Sequence, residues 1–244
     1  MATGQNGFDD GKCRCLKTLA VILLIIAVFI PAAGAARERN YVISNGVFAG
    51  LRGDYGKVTD LTIPYGVKVV RISASGSYKN LRNVMIPDGV IEIGYSSFSY
   101  CKNLRRVNIP DSVIKIGGSA FGHCSSLRRI TIPGSVKSIG TYGFSDCTSL
   151  KNVKIGDGVI SIGYLAFKNC RSLQSITIPD SVTDMEHGIF SGCTGLQSVT
   201  IGKGVKSLYD NTFSGCSNLK EIRLPKNCDF DERKLPEGCK VIRY

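Results

Sequence analysis

Apolar residues recur along most of the chain with a fixed 23-residue period. Each period contains a leucine, a valine or isoleucine at the third position after it, a phenylalanine and a cysteine. The leucines are Leu81, Leu104, Leu127, Leu150, Leu173, Leu196 and Leu219. The phenylalanines are Phe98, Phe121, Phe144, Phe167, Phe190 and Phe213. The cysteines are Cys101, Cys124, Cys147, Cys170, Cys193 and Cys216. Such a period is typical of a solenoid, in which each coil buries its apolar face only against neighbouring coils.

Within one period, alternation of apolar and polar residues predicts a short strand. In LRRVNIP, Val107 and Ile109 alternate with polar residues, and Pro110 ends the strand because it has no backbone N–H. In the following SVIKIGGSAF, the chain turns at Gly117, and the segment ending at Phe121 suits a helical turn. The pattern predicts an α/β solenoid of 23-residue coils, with a parallel sheet on one face and short helical turns opposite.

Residues 1–36 differ from the rest and predict an export signal. Basic residues precede the apolar run Leu19–Ile30, and small residues follow it. This order is typical of a secretory signal peptide, with cleavage expected after Ala35 or Ala36. The uncharged run that begins at Thr18 and ends at Ala36 is also just long enough to span a bilayer. An uncleaved signal anchor is therefore the alternative, although Pro31 weakens it.

The rest of the chain is long enough for one solenoid domain, and an apolar content of 43% over the whole chain argues against wholesale disorder. The predicted segments are an N-terminal cap at 37–56, the repeats at 57–227 and a C-terminal cap at 228–244. The step Asn45-Gly46 lies between two apolar segments and predicts a hairpin in the N-terminal cap. Near the other end, Ile242 is predicted to take the leucine position of a half-built last coil.

The combined pattern Cys-x-x-Leu-x-x-Ile-x-Ile-Pro-x-x-Val-x-x-Ile-Gly-x-x-Ala-Phe-x-x-Cys resembles the BspA-like (Treponema-type) leucine-rich repeats over roughly residues 55–242. The match is specific because Pro110, Gly117, Phe121 and Cys124 recur together. The departures are Gly156 and Gly202 for the proline, Met185-Glu186 and Leu208-Tyr209 for Ile-Gly, and Tyr55 and Tyr78 for the first two cysteines. The resemblance implies a leucine-rich-repeat array whose sheet face is the usual concave binding surface.

The six periodic cysteines allow three interpretations. Equivalent residues of stacked coils lie about 5 Å apart, within disulfide range, but their side chains point in parallel into the core. A buried column of free thiols is the main expectation, and pairing between neighbouring coils is the alternative. Ligands that lie a whole period apart lack the clustering that a zinc site needs. Outside the column, Cys228 is expected either to pair with Cys239 or to remain a free, exposed thiol.

The chain offers little for catalysis. Its only histidines, His123 and His187, fall at different repeat positions and do not recur, so we interpret them as surface residues. Asp111, Asp157 and Asp180 follow predicted strands where Asp is favoured in turns. The sequence has neither the phosphate-cradling pattern Gly-x-x-x-x-Gly-Lys nor the nucleophile pattern Gly-x-Ser-x-Gly. It therefore predicts a non-enzymatic protein without a metal or other cofactor.

Charge distinguishes one predicted surface. The whole chain has a net charge of +12, and removing residues 1–36, with three basic and two acidic residues, changes it by only one. Basic residues occupy outward strand positions over four consecutive coils, and no acidic residue follows at these positions before Glu221. The seven residues are Arg82, Arg105, Arg106, Arg128, Arg129, Lys151 and Lys154. Stacking is expected to unite them into a ligand-binding patch, while ordinary solvation of a strand surface is the alternative.

The family resemblance implies a role at a microbial cell surface. The main hypothesis is a secreted or cell-surface adhesion module that recognises a host matrix protein, a cell surface or another acidic ligand. A structural repeat of the cell envelope without a specific ligand is the alternative, and a secreted hydrolase ranks third. A protein or an anionic glycan on a host or neighbouring cell is the expected partner. Export and the lack of an aromatic stacking series disfavour nucleic acid, and membrane contact is expected only if the N-terminal segment stays uncleaved.

Overall fold

The computed structural model describes residues 41–72 and 75–244, so the predicted signal peptide and its cleavage site lie outside the described residues. The strands, numbered in chain order, are β1 (Tyr41–Ser44), β2 (Val47–Leu51), β3 (Asp60–Thr62), β4 (Val69–Val70), β5 (Asn83–Met85), β6 (Glu92–Ile93), β7 (Arg106–Val107), β8 (Lys115–Ile116), β9 (Arg129–Ile132), β10 (Ser138–Ile139), β11 (Asn152–Ile155), β12 (Ser161–Ile162), β13 (Ser175–Thr177), β14 (Asp184–Met185), β15 (Ser198–Thr200), β16 (Glu221–Leu224) and β17 (Lys240–Arg243). In this part of the chain, no helix has the length and apolar character needed to cross a bilayer.

The strands form two faces of a solenoid. Six two-residue strands join the N-terminal hairpin in an eight-stranded sheet, here called sheet I, with the order β1-β2-β4-β6-β8-β10-β12-β14. The remaining strands form three shorter sheets, β3-β5-β7, β9-β11 and β13-β15-β16-β17, here called the segmented face. Coils pair in parallel at 23-residue steps, as in Ile130 with Val153. The repeats therefore form a β-solenoid of about eight turns with parallel sheets, which confirms the predicted solenoid.

The segments that carry the phenylalanines are turns, which corrects the predicted helical turns and the α/β class. In residues 118–123, Ser119 and His123 have φ values of 51° and 61°, a left-handed conformation that interrupts a right-handed helix. Alternate N–H groups donate to the next coil instead, as from Phe98 to the carbonyl oxygen of Ala120 at 2.8 Å. The N–H groups between them donate within the turn, as from Gly122 to the carbonyl oxygen of Ser119 at 3.0 Å, so bonds between coils replace only part of those predicted within a helix. The described helices are three short 3-10 helices at Tyr55–Lys57, Ser75–Ser77 and Glu232–Lys234.

The core consists of stacked columns of identical side chains. The periodic leucines, phenylalanines and cysteines are at most 3% exposed. Successive phenylalanine rings stack with centroids 5.2 to 6.0 Å apart. Since each coil alone would expose these side chains, burial between coils provides the main driving force for stacking.

The glycine of the Ile-Gly pair sets how closely coils approach each other. A Cβ atom on Gly140 would lie only 2.5 Å from the backbone nitrogen of Gly118 in the preceding coil. Between the coils that carry glycine at this position, the phenylalanine rings are 5.2 to 5.4 Å apart. Where Glu186 and Tyr209 replace this glycine, the phenylalanine ring centroids are 6.0 and 5.9 Å apart. The departures from Ile-Gly therefore coincide with wider stacking, because a side chain needs more room there.

The N-terminal coil is covered by the hairpin of β1 and β2. Asn45 and Gly46 form its turn with φ values of 48° and 74°, as a two-residue turn between twisted strands requires. Strand β2 then pairs in parallel with β4 and continues sheet I. The hydroxyl of Tyr78, which is 1% exposed, accepts a hydrogen bond from the N–H of Leu51 at 3.0 Å. Tyr78 thus links the cap to the core.

The last coil is shorter than predicted. Val241 in β17 pairs with Ile222 in β16, so the register advances here by less than one full period. Ile242 therefore does not take the leucine position, and Cys239 lies outside the cysteine column. Cys228 fills a valine position of the core, is 3% exposed and is unpaired. The predicted pairing with Cys239 is wrong, and of the other alternative the free thiol is confirmed but its exposure is wrong, because Cys228 is buried.

Candidate binding face

The seven basic residues predicted from the sequence lie next to one another on the segmented face, and all are exposed. Arg106, Arg129 and Lys154 lie within β7, β9 and β11, and the other four directly precede a strand. We call this set the basic face: Arg82, Arg105, Arg106, Arg128, Arg129, Lys151 and Lys154. The strand register holds these cations on successive coils, so their side chains add to one local field.

In the described structure, two carboxylates lie in strands of the segmented face: Asp60 is in the coil next to that of Arg82, and Glu221 is three coils beyond that of Lys151. Asp60 in β3 accepts a hydrogen bond from the side-chain amide of Asn83 at 2.6 Å. Oε1 of Glu221 in β16 lies 4.0 Å from Nη1 of Arg223. Apart from Asp60, no carboxylate of residues 41–72 and 75–244 forms an ion pair with a member of the basic face. Most of the positive charge is therefore available to a ligand.

Backbone pairing on the segmented face is interrupted between β7 and β9. In most other coils, two successive N–H groups at the start of a strand share one carbonyl of the preceding coil. Arg105 and Arg106 donate in this way to the carbonyl of Arg82 at 2.8 and 3.1 Å. Within the described structure, Arg128 and Arg129 make no equivalent bond to the carbonyl of Arg105, and β7 and β9 belong to different sheets. The two coils are thus separated on this face.

A cleft of about 370 Å³ at this break is lined by Arg105, Arg106, Arg128 and Arg129, and we call it the arginine cleft. Val107 of β7 is only partly buried, whereas its equivalents in most coils are buried. The two arginine doublets face each other across the break, and like charges directly opposite destabilise strand pairing. The sequence prediction missed this cleft, although two arginine doublets at the same position of successive repeats are a signal for it.

A second break separates β11 from β13. Among the described residues, neither Gln174 nor Ser175 donates a backbone hydrogen bond to the carbonyl of Lys151, and Val153 is partly exposed. A cleft of about 660 Å³ opens there. Its polar lining includes Lys154, Asp111, Asp157, Thr131 and Thr177. The second cleft is therefore mixed in charge, unlike the arginine cleft.

The two histidines stack on tyrosines at the surface. The His123 ring lies 4.2 Å from that of Tyr100, and the His187 ring lies 3.6 Å from that of Tyr209. Nδ1 of His123 is 3.9 Å from Oδ2 of Asp146. Burial raises the pKa of Asp146, but hydrogen bonds from neighbouring side chains and the nearby His123 outweigh burial and lower it below its ordinary value. The contacts of both histidines are thus with neighbouring coils.

The aspartates predicted in turns lie there. Asp111, Asp157 and Asp180 are exposed turn residues, and Oδ1 of Asp180 accepts a hydrogen bond from the N–H of Lys203 at 2.7 Å. In the part of the chain that the structure describes, no group of three or more His, Cys, Asp or Glu side chains has an arrangement that could hold a metal ion. Asp180 thus connects its turn to that of the next coil.

The cysteine column forms a ladder of thiol hydrogen bonds. The thiol of Cys147 donates to the carbonyl of Phe121 in the preceding coil, with Sγ and oxygen 3.2 Å apart. The other five column cysteines make equivalent bonds at 3.1 to 3.4 Å. All described cysteines are free, and burial raises the pKa of Cys101, Cys147 and Cys216 to about 12. The column therefore matches the main expectation of buried free thiols, which are poor nucleophiles.

Known proteins show the same repeat. A family model described as BspA type leucine-rich repeat region matches residues 43–173 and 138–241, in six copies. A leucine-rich repeat protein from Bacteroides ovatus superposes with a TM-score of 0.51 at 19% identity, covering 86% of this chain and 90% of that one. The Treponema pallidum leucine-rich repeat protein has a TM-score of 0.45 at 24% identity, with 78% and 71% covered. A leucine-rich cell surface protein from Faecalibacterium prausnitzii has a TM-score of 0.41 at 21% identity, with 88% and 95% covered. No curated protein matches the sequence.

Proposed function

The chain belongs to the BspA-type leucine-rich repeat family, and from this premise we propose that it is an exported, non-enzymatic adhesion module whose basic face binds an acidic ligand. Solenoids of this family are generally non-enzymatic. The observation that carries the proposal is the basic face itself, with seven exposed cations on four successive coils.

The solenoid gives these cations two properties that suit recognition. The stacked coils fix the backbone positions of these cations, so the charges lie close together before a ligand arrives. A contiguous field of one sign also raises the rate of encounter with an oppositely charged partner. The proposed partners are an acidic region of a matrix protein, or an anionic glycan on a host or neighbouring cell. Nucleic acid is not proposed, because the expected export separates the protein from it.

Secretion or display at the cell surface is part of the proposal and is supported by family membership, since BspA-type proteins are typically found at the cell surface. We expect protein recovered from outside the cell to begin at Ala36 or Arg37. Mass spectrometry of its N-terminal peptide tests this expectation. An exported chain that still begins at Met1 or Ala2 would support an uncleaved anchor instead.

A binding array of matrix proteins and anionic glycans, probed at low and high salt, tests the binding function. For the best ligand, Arg106→Glu with Arg129→Glu is expected to weaken binding by about 1 to 3 kcal/mol, and high salt is expected to weaken wild-type binding. The matched control is Lys203→Glu with Lys206→Glu, which makes the same charge change away from the basic face. Equal affinities of the wild type and the Arg106/Arg129 variant at low salt would exclude the basic face from the function.

A structural envelope repeat without a ligand is the second candidate. It is favoured by exposed isoleucines at one repeat position beside sheet I, where Ile91, Ile114 and Ile160 are 42%, 51% and 47% exposed. These exposed side chains suit lateral packing, although Lys137 lies at the same repeat position between Ile114 and Ile160. If the array yields no ligand and Ile114→Ser abolishes self-association measured by sedimentation, the structural role replaces the binding role.

A further inference from the structure

The arginine cleft combines a break in the backbone ladder with four guanidinium groups, and this combination has a specific chemical use. We propose that the cleft binds a tetrahedral oxyanion, a sulfate or phosphate ester group carried by the ligand of the basic face. This inference rests on the proposed binding function and narrows it from acidic ligands in general to one class of anion.

Guanidinium groups favour this class of anion. Each presents several N–H donors in a planar fork that pairs with two oxygens of a sulfate or phosphate at once. Arg105 and Arg106 supply two forks from one wall of the cleft, and Arg128 and Arg129 supply two from the other. An anion between the walls would relieve the repulsion that opposes pairing of the two coils. The volume of about 370 Å³ is enough for an ester group with part of its carrier.

The break also leaves backbone donors without a partner. In coils that pair normally, the two N–H groups at this position share a carbonyl of the preceding coil, as Lys151 and Asn152 do with Arg128 at 2.9 and 3.3 Å. Within the described residues, the N–H groups of Arg128 and Arg129 donate no backbone hydrogen bond to the preceding coil. Successive backbone N–H groups beside cationic side chains are typical of anion sites.

The second cleft shows that a break alone does not make an anion site. It also lacks backbone pairing, but Asp111 and Asp157 line it together with Lys154. These carboxylates would repel an anion. The arginine cleft is the break at which the sequence places only cationic side chains on both walls.

The experiment measures calorimetric binding of three oligosaccharides of equal length and charge, one sulfated, one phosphorylated and one carrying only carboxylates. We expect the sulfated or the phosphorylated probe to bind the wild type at least about 10-fold more tightly than the carboxylate probe, and the tighter of the two identifies the ester. Arg106→Gln with Arg129→Gln is expected to reduce that affinity about 10- to 100-fold. Arg106→Lys with Arg129→Lys keeps the charge but removes the forks, and should also lose about 10-fold.

The matched control is Arg82→Gln with Lys151→Gln, which removes two charges from the same face outside the cleft and should cost no more than about 3-fold. Because all four positions are exposed, neither double variant should have a lower melting temperature than the wild type. A separate titration with inorganic sulfate should shift the amide resonances of Arg128 and Arg129.

Equal losses in the cleft and control variants, or full binding by the lysine variant, would overturn the cleft proposal and leave general recognition by the basic face intact. The same holds if the three probes bind equally. If none of the probes binds but a matrix protein still does so through the basic face, only the cleft proposal fails. If no ligand binds through the basic face, both the cleft proposal and the proposed function fail.

Discussion

The buried thiols should make the fold unstable in mild alkali. Unfolded cysteine has a pKa near 9.0, and burial raises that of Cys101, Cys147 and Cys216 to about 12 and that of the other column cysteines in the same direction. The folded state therefore keeps its protons at a pH where the unfolded state has released them. Stability contributed by these thiols is fully present below pH 9 and is lost as the pH rises towards 12.

The size of the effect follows from the number of thiols. Each group that is protonated only in the folded state lowers the free energy of unfolding by about 1.4 kcal/mol per pH unit. Six such groups lower it by about 8 kcal/mol per pH unit, which is comparable to the whole stability of a typical domain. We therefore expect alkaline unfolding at about pH 10 to 11. The thiolate would also lose the hydrogen bond that each thiol donates to a backbone carbonyl.

The assay is urea unfolding followed by circular dichroism at a series of pH values from about 8 to about 11.5, with a reductant present. The control variant is Cys147→Ala. It should be less stable than the wild type at pH 8. Because it has one thiol fewer, the slope of its stability against pH should be smaller than that of the wild type by about 1.4 kcal/mol per pH unit, so the two curves converge. A wild-type slope below about 3 kcal/mol per pH unit, or parallel curves for the two proteins, would refute the reasoning.

Four further predictions concern the packing of the coils. Cys147→Asp should destabilise the array by several kcal/mol because it buries an unpaired charge. In the wild type, the column cysteines should react with alkylating reagents only after unfolding, and rapid labelling of the folded protein would contradict this packing. Gly140→Ala should cost about 1 to 3 kcal/mol in urea unfolding, because the new Cβ would lie 2.5 Å from the Gly118 nitrogen; an unchanged stability would show that neighbouring coils separate easily. Tyr78→Phe should cost about 1 to 3 kcal/mol and speed hydrogen exchange in the N-terminal hairpin, because the N–H of Leu51 loses its acceptor; unaltered exchange would show that this bond does not hold the cap.

The periodic pattern predicted the solenoid because burial in an array depends on position within the repeat. Leu127 and Phe121 recur with their equivalents once in every period, so any stacking that buries one column buries them all. The same periodicity placed Arg106 and Arg129 on one exposed face. Periodicity could not predict the turn conformation, because the positive φ values at Ser119 and His123 lie on residues whose identity does not require them. Those turns depend on hydrogen bonds to the next coil.

The sequence alone thus determined the solenoid, its family, its buried columns and its basic face, because each follows from which residues share a repeat position. Only the tertiary structure decided where neighbouring coils pair and where they part. The shortened last coil, with Val241 beside Ile222, is one such case. The arginine cleft is another, since the sequence places Arg105 opposite Arg128, but whether their strands stay hydrogen-bonded depends on charge repulsion weighed against packing in three dimensions.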